Sequence, residues 1–229
     1  MRVLFLIGGL ARHSTRRFVR AEAGITLVET TIILAVIAVL SAAAAPVASR
    51  TLDRARLVRA RTDAVEIKNG LFAIRDDMTQ FNLFTTNGAN NGPVVYMLVG
   101  DGDIPVEVGI GGDARWQDPV DNVTGIVDFL ERHLVTNNPG GNPANGYPTD
   151  IQNPWRGPYL AGPIDADPWG NRYASNTRWL KDAPKSNDVV VFSAGPDEII
   201  QTAWESSIIT PGGDDIVIIV LADNNRIVP

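Results

Sequence analysis

The chain has 229 residues, 45% of them hydrophobic and 20% charged, and it contains no cysteine, which excludes disulfide bonds and thiolate metal sites. The formal net charge is −6, but residues 1–24 hold five arginines and one acid, so the remainder has a net charge of −10. Because so acidic a surface repels phosphate and attracts cations, we expect no nucleic-acid partner, and divalent cations are compatible ligands.

An apolar run over residues 25–45 is the dominant feature, and Glu29 is its only charged residue. Together with Pro46 the run has 22 residues, which span about 33 Å as an α-helix and match a bilayer core. A cleaved secretory signal is disfavoured because four arginines separate the earlier apolar residues 3–11 from the small residues near position 22. A buried core helix is usually shorter than this run. We therefore predict a membrane span.

The helical pattern continues beyond Pro46 as far as Met78. Apolar residues at helical spacing in this part predict one apolar stripe, made of Val58, Val65, Leu71, Phe72, Ile74 and Met78. Pro46 lacks a backbone donor, so we expect it to kink or loosen the helix locally. Arginines flank the membrane half on both sides, and charge bias therefore does not fix its orientation. The sequence thus predicts one long helix, half in lipid and half packed on a soluble domain.

Shorter apolar segments follow Met78 and predict a small β-sheet. Runs rich in β-branched residues predict strands over residues 94–99, 104–110, 189–192 and 216–221. Residues 122–135 predict a short amphipathic helix, with Ile126, Val127, Leu130 and Leu134 inward and His133 on a solvated face. Residues 137–153 predict a turn-rich loop. The predicted fold is α+β, a long N-terminal helix packed against a small antiparallel sheet.

An enzyme would require a recognisable constellation of catalytic residues. The sequence contains no Gly-x-Ser-x-Gly, His-Glu-x-x-His or Walker motif and no paired histidine and cysteine ligands. The glycine cluster at residues 109–112 lacks a following helical pattern and is typical of a turn. We therefore predict that the chain is not an enzyme.

The start of the apolar run carries the most specific motif. Gly24 and Ile25 follow a basic leader, and Glu29 places a carboxylate in a predicted membrane helix, where a charge normally has a partner or a function. Taken alone, Glu29 could also lie near the interface and reach water. The motif resembles the type IV prepilins and the pseudopilins of type II secretion. Counted from Ile25, Glu29 is the fifth residue and Pro46 the twenty-second, where that family carries its glutamate and its helix proline.

The resemblance implies that the N-terminal motif serves processing and assembly. A prepilin peptidase would cut after Gly24 and methylate the new N-terminus at Ile25. In a filament, Glu29 would face the amine of Ile25 in a neighbouring subunit and fix the register, because an unpaired carboxylate is penalised in an apolar core. The family usually has phenylalanine in place of Ile25 and an aliphatic pair in place of Thr30 and Thr31.

Two aromatic segments, at residues 155–160 and 167–173, combine turn residues with Trp and Tyr. Such residues supply either buried core anchors, which we favour, or a surface that stacks on carbohydrate. Both segments resemble the corresponding stretch of the major pseudopilin of type II secretion. Within the superfamily this resemblance favours a pseudopilin.

Two acidic loops adjoin the predicted strands near the C-terminus. Ser193 and Asp197 follow one strand, and Asp214 and Asp215 precede the next, so three carboxylates can converge. Flexible Asp and Gly loops supply the oxygen ligands that Ca²⁺ requires, although a solvated acidic turn has the same composition. The corresponding loop of major pseudopilins binds calcium. The resemblance therefore implies Asp197, Asp214 and Asp215 as side-chain ligands, with Ser193 and nearby carbonyls completing the shell. The intervening residues 199–210 are longer and more apolar than the family's link.

The resemblance also implies a domain organisation and a set of partners. The implied parts are a leader (residues 1–24), a membrane and filament-core helix (25–46), its soluble half (47–78) and a head (79–229) with an insertion at about 79–152. The chain would cross the bacterial inner membrane once, with its head in the periplasm, and polymerise with itself into a pseudopilus that supports export of folded proteins across the outer membrane. Its other partners would be the prepilin peptidase, the inner-membrane secretion platform and the minor pseudopilins. A surface pilin with an adhesive or binding insertion is the alternative.

Overall fold

The computed structural model describes residues 24–78, 83, 94–117, 126–150, 152–181 and 187–222. The chain divides between Ser49 and Arg50 into two compact units. Its elements are the helices α1 (Leu27–Asp77) and α2 (Leu130–Leu134) and the strands β1 (Val95–Val99), β2 (Glu107–Val108), β3 (Ile126–Phe129), β4 (Ala174–Ser175), β5 (Val189–Ser193), β6 (Ile199–Ile200) and β7 (Ile216–Leu221). Of the predicted leader, only Gly24 lies within the described residues.

The first part of α1, as far as Ser49, is exposed along its whole length. Among the described residues, α1 is the one helix that is long and apolar enough to cross a membrane. Pro46 lies inside α1, and the helix continues through it, because one missing amide donor interrupts a single turn while the neighbouring alanines favour helix. A helix of this length and composition near the N-terminus is consistent with single-pass membrane anchoring.

The second part of α1 divides the predicted apolar stripe between two faces. One face packs into the core of the second unit and consists of Ala60, Ala64, Ile67, Gly70, Leu71 and Ile74. The other face leaves Val58 65%, Val65 42% and Phe72 37% exposed. The single predicted stripe is therefore wrong. At about 100° per residue, the 13 residues from Val58 to Leu71 leave these two side chains about 140° apart, so the two series occupy different sides of the helix.

The main sheet has five strands in the order β3-β1-β4-β5-β7. The pairs β1–β4, β4–β5 and β5–β7 are antiparallel, whereas β1 and β3 are parallel. A second pair, β2 and β6, is also parallel. The α+β fold is confirmed, but the sheet is mixed and not antiparallel as predicted. The long chain between β1 and β3 allows the crossover that a parallel pair requires.

The core of the second unit lies between the buried face of α1 and this sheet. Every residue of β5 is buried, and Trp116 stacks on Phe192 with ring centroids 4.6 Å apart and planes 15° apart. Trp204 meets the same indole edge-on at 4.6 Å. Two large aromatic rings, those of Trp116 and Trp204, therefore fill the space beside β5, which agrees with their exposure of 1% each.

Three of the predicted strands are confirmed as β1, β5 and β7. The predicted helix at residues 122–135 is wrong over its middle part, where β3 precedes the short α2; residues 122–125 lie outside the described residues. Ile126 and Val127 are β-branched, and β1 offers them a backbone partner. The predicted strand at residues 104–110 contracts to β2.

Candidate functional site

The start of α1 is capped by its own side chains. The Thr26 hydroxyl oxygen accepts a hydrogen bond from the Glu29 amide at 3.2 Å, which is the N-cap half of a capping box. The hydroxyls of Thr30 and Thr31 donate to the carbonyls of Thr26 and Leu27 at 2.9 and 2.7 Å. These three threonines satisfy their polar groups within the first turns, so they do not oppose an apolar surrounding.

The bond between Gly24 and Ile25 lies in non-helical chain directly before this cap. Ile25 is 69% exposed, and a Cβ placed on Gly24 would meet no atom within 4 Å. Glu29 occupies the first turn, where the helix dipole favours a negative charge, and it forms no ion pair with any described residue. Gly24, Ile25 and Glu29 thus lie close together along the chain at an accessible helix start.

The two acidic loops meet at one end of the sheet. Ser193 at the end of β5 pairs with Ile216 at the start of β7, which brings the loop after Ser193 beside the loop before Ile216. The Asp197 amide donates to Asp214 Oδ2 at 3.2 Å. Gly195 has a φ of +70°, and a Cβ on this residue would lie 2.4 Å from the carbonyl oxygen of Asp214. Glycine is required at this crossing of the two loops.

Asp215 is the most buried carboxylate of these loops, at 6% exposure. Its Oδ2 accepts from the Gln201 amide at 2.9 Å and from the Thr202 hydroxyl at 2.6 Å. Its Oδ1 is buried without a hydrogen-bond partner. Burial raises the pKa of Asp215 to about 6. The two hydrogen bonds lower this pKa, and the nearby negative charges of Asp197 and Asp214 raise it. The loop therefore holds a carboxyl that ionises reluctantly.

Two neighbours of Asp215, the carboxyl of Asp214 and the side chain of Gln201, are in a similar electrostatic environment. Burial raises the pKa of Asp214, and the hydrogen bond and negative charge of Asp197 raise it further. The Gln201 side chain donates to Asp197 Oδ2 at 3.1 Å, and its Oε1 is buried without a partner. Like charges and unpaired acceptor oxygens are thus gathered in one place, an arrangement that a cation would stabilise.

Ser193 is hydrogen-bonded to groups other than these three carboxylates, namely Asp167 and the Gly195 amide. Its hydroxyl is fully buried and donates to Asp167 Oδ2 at 2.7 Å. The other oxygen of Asp167 accepts from the amides of Trp169 and Asn171 at 3.0 and 2.9 Å. Ser193 therefore joins β5 to the turn that Asp167 organises.

The predicted calcium ligands form only part of a coordination shell. Among the described residues, no three His, Cys, Asp or Glu side chains are arranged so that they could hold a metal ion. The residues that could contribute oxygens are Asp197, Asp214, Asp215 and Gln201, whose unpaired acceptor fits the oxygen chemistry of Ca²⁺. Within the described part of the chain, the two loops therefore hold acidic side chains and unpaired acceptor oxygens but no closed set of metal ligands.

A buried polar cluster around His133 is the feature that the sequence did not predict. His133 is fully buried, so its predicted solvated position is wrong. Its Nδ1 lies 2.6 Å from the Tyr147 hydroxyl and its Nε2 lies 2.9 Å from Asp128 Oδ2. Asp128 also accepts from Arg132 Nη1 at 2.7 Å and from the Gly140 amide at 2.6 Å. Burial alone would raise the pKa of Asp128, but hydrogen bonds and the charge of His133 lower it to about 2.

This cluster fastens α2 to the loop that follows it. Asp128 and Tyr147 are at most 2% exposed, so the cluster is closed to solvent and to any substrate. The Trp155 indole also donates to the His133 carbonyl at 2.9 Å. We assign this cluster a structural role. In the sequence, its one sign is the spacing of Asp128 and Arg132, which are four residues apart and of opposite charge.

The two aromatic segments place Tyr173 in the core and pack Trp155 and Tyr159 against it. Tyr173 is fully buried and its hydroxyl donates to Asp63 of α1 at 3.1 Å, while the Tyr159 hydroxyl donates to Asp77 at 3.0 Å. Burial raises the pKa of both phenols, that of Tyr159 to about 12, and the nearby carboxylates raise them further. The two tyrosines therefore fix the soluble part of α1 to the rest of its unit.

Comparison of the chain with protein-family models, with curated proteins and with solved structures finds no match in any of the three. Function is therefore inferred from the start of α1, its two differently composed parts and the acidic loops.

Proposed function

We propose that this chain is a structural subunit that polymerises into a filament of the type IV pilin kind, most similar to a type II secretion pseudopilus. In this role it catalyses no reaction. It supports export of folded proteins across the outer membrane by adding itself to a growing periplasmic filament. Its partners are other copies of itself, the prepilin peptidase, the secretion platform of the inner membrane and the minor pseudopilins.

One observation carries this proposal. A single helix, Leu27–Asp77, begins two residues after the Gly24–Ile25 bond. Glu29 is the one charged residue of its apolar part, and beyond that part the helix becomes amphipathic. A protein that only needed an anchor would gain nothing from a carboxylate inside the membrane span. In a filament whose helices bundle in the core, such a carboxylate would fix the register of neighbouring subunits, because each Glu29 is penalised unless it lies beside a positive partner.

The acidic loops support a role for calcium in the assembled head. Ca²⁺ bound by Asp197, Asp214 and Asp215 would neutralise like charges and satisfy the unpaired oxygens of Asp215 and Gln201. The cation would hold the β5–β7 end in a fixed shape, and filament contacts at that end would then depend on calcium. Ser193, committed to Asp167, would contribute to this site through its position at the end of β5.

Processing at the helix start gives the first test. The full chain is expressed with a prepilin peptidase in a bacterial host, and the intact mass of the membrane-bound product is measured. We expect loss of residues 1–24 and gain of one methyl group on Ile25. A Gly24→Ala chain should remain uncut, because the added methyl meets no atom of the fold but alters the residue that the peptidase reads. Ile25→Phe, which restores the family's usual residue, should be cut at least as well.

Assembly gives the second test. Sedimentable, cross-linkable polymers should form from the processed chain and should be lost with Glu29→Ala and with the isosteric Glu29→Gln, which removes the charge alone. A chain that is cut elsewhere, or that polymerises equally well without Glu29, would contradict the proposal. Polymers displayed on the cell surface and dependent on a retraction motor would instead identify a surface pilin with a binding insertion.

A further inference from the structure

The exposed face of α1 has a regular composition that its membrane part lacks. Apolar side chains at a seven-residue interval alternate with basic ones, and we call this row the basic seam: Arg54, Val58, Arg61, Val65, Lys68 and Phe72. The three apolar members are 37% to 65% exposed. The three basic members form no ion pair with any described residue, unlike Arg59, which pairs with Asp63 at 3.4 Å. Exposed apolar residues that repeat every seven positions offer a helix a line of contact for a partner, and the basic residues between them would select an acidic one.

A second unpartnered surface lies around β2. A groove of about 750 Å³ is lined there by four acids, Asp103, Glu107, Asp197 and Glu198, and by no basic residue. Beside it, apolar residues occur at alternate positions, and we call the whole surface the acidic edge: Asp103, Ile104, Val106, Glu107, Val108, Ile110, Asp197 and Glu198. Val106 is 86% exposed and Ile110 is fully exposed. Monomeric proteins seldom leave such a row of aliphatic side chains in water.

The two surfaces match each other and do not match themselves. Both are rich in exposed aliphatic residues, but one is basic and the other acidic. Two basic seams would bring like charges together, as would two acidic edges. The pairing that satisfies both charge and apolar area is therefore seam against edge.

Both surfaces are exposed in the same chain, so neither covers the other within one copy. We propose that the basic seam of one copy docks on the acidic edge of the next. This contact rests on the proposed function, because it supplies the head-to-tail interface that a polymer needs. Such an interface uses different patches on the two subunits, and it repeats without closing when successive copies are related by a screw rotation.

Cysteine cross-linking tests the contact cleanly because the chain contains no cysteine of its own. A Val65→Cys chain and a Val106→Cys chain are co-expressed at full length with the peptidase, and membranes are oxidised. We expect a mixed disulfide dimer as the main product. The control replaces Val106→Cys by Ile208→Cys, which is 56% exposed and outside both surfaces, and it should yield little dimer.

Charge reversal then separates a specific contact from random collision. Arg61→Glu or Glu107→Arg should each lower the yield of mixed dimer about fivefold, the effect of replacing an exposed ion pair by a repulsive one. With Arg61→Glu in the Val65→Cys chain and Glu107→Arg in the Val106→Cys chain, the yield should recover, since the two reversed side chains again carry opposite charges. Rescue of this kind would not follow from two independent folding defects.

The outcomes distinguish this inference from the proposed function. Sedimentable polymers without the Val65–Val106 cross-link, or with a dominant Val65–Val65 dimer, would overturn the seam-to-edge contact and leave polymerisation intact. Equal cross-linking to Ile208→Cys would also overturn it. Absence of both polymer and cross-link in the processed, membrane-bound chain would overturn the proposed function together with this contact.

Discussion

The buried carboxyl of Asp215 makes the stability of the second unit depend on pH. Its folded pKa of about 6 lies above the ordinary value of 3.8, so the folded protein retains a proton that the unfolded chain has already released. Between these values, raising the pH favours unfolding. At about 1.4 kcal/mol per unit of pKa difference, the free energy of unfolding should fall by about 3 kcal/mol in all as the pH rises from about 3 to about 7, and about 2 kcal/mol of that fall lies between about pH 4 and pH 6.

The matching variant is Asp215→Asn, which keeps an oxygen for the Gln201 amide and the Thr202 hydroxyl but cannot ionise. Unfolding of the full chain in detergent by urea can be followed by the fluorescence of the buried Trp116 and Trp204. In calcium-free buffer the variant should lose most of the decline between pH 4 and pH 6, whereas the exposed control Asp165→Asn should retain it. Asp128, with its pKa lowered to about 2, contributes its own pH dependence below this window.

Parallel pH curves for the parent chain and Asp215→Asn would refute the reasoning, because the decline would then belong to other groups. A rise in stability between pH 4 and pH 6 that depends on Asp215 would refute it as well. Such a sign would mean that the hydrogen bonds from Gln201 and Thr202 outweigh the burial of the carboxyl.

Three further outcomes follow from the same contacts. Millimolar Ca²⁺ at pH 7 should raise the thermal midpoint of the full chain and leave that of Asp214→Ala/Asp215→Ala unchanged; an equal response of both would place any bound cation elsewhere. His133→Ala should lower the free energy of unfolding by about 3 kcal/mol in urea titrations, because Asp128 then keeps a buried charge with fewer partners, whereas Ile208→Ala at the surface should stay within about 0.5 kcal/mol. Tyr173→Phe should cost about 1 kcal/mol through the lost bond to Asp63, and hydrogen exchange should rise in the soluble part of α1.

The sequence predicted those elements whose signal is local. The length and periodicity of α1, and the β-branched runs of β5 and β7, suffice to identify them. β3 was missed because Ile126 and Val127 fit an amphipathic helix as well as a strand over so few residues. The strand conformation of these residues is stabilised by β1, which lies 30 residues away in the sequence and pairs with them in parallel. The prediction of a single stripe on α1 fails for a related reason, because the spacing of apolar residues alone does not show which side of the helix the rest of the unit covers.

The candidate site was predictable in composition and less so in arrangement. The approach of Asp197 to Asp214 follows from the pairing of β5 with β7, and the sequence predicted both of these strands. Ser193 could not be placed by spacing, because its partner Asp167 comes from a turn 26 residues earlier. The charged neighbours Glu131 and Arg132 predict a solvated His133. Its actual partners are Asp128, from the strand before it, and Tyr147, from the loop after it.

The cap on α1 has a consequence for any change made at its N-terminus. Thr26 and Glu29, which close the first turn, both follow the Gly24–Ile25 bond, and the hydroxyls of Thr30 and Thr31 point back into the same turn. The helix start is therefore self-contained, and a cut at that bond would trade one N-terminus for another without unwinding a residue. The removed arginines would take their positive charge with them, leaving the single amine of Ile25 four residues before Glu29.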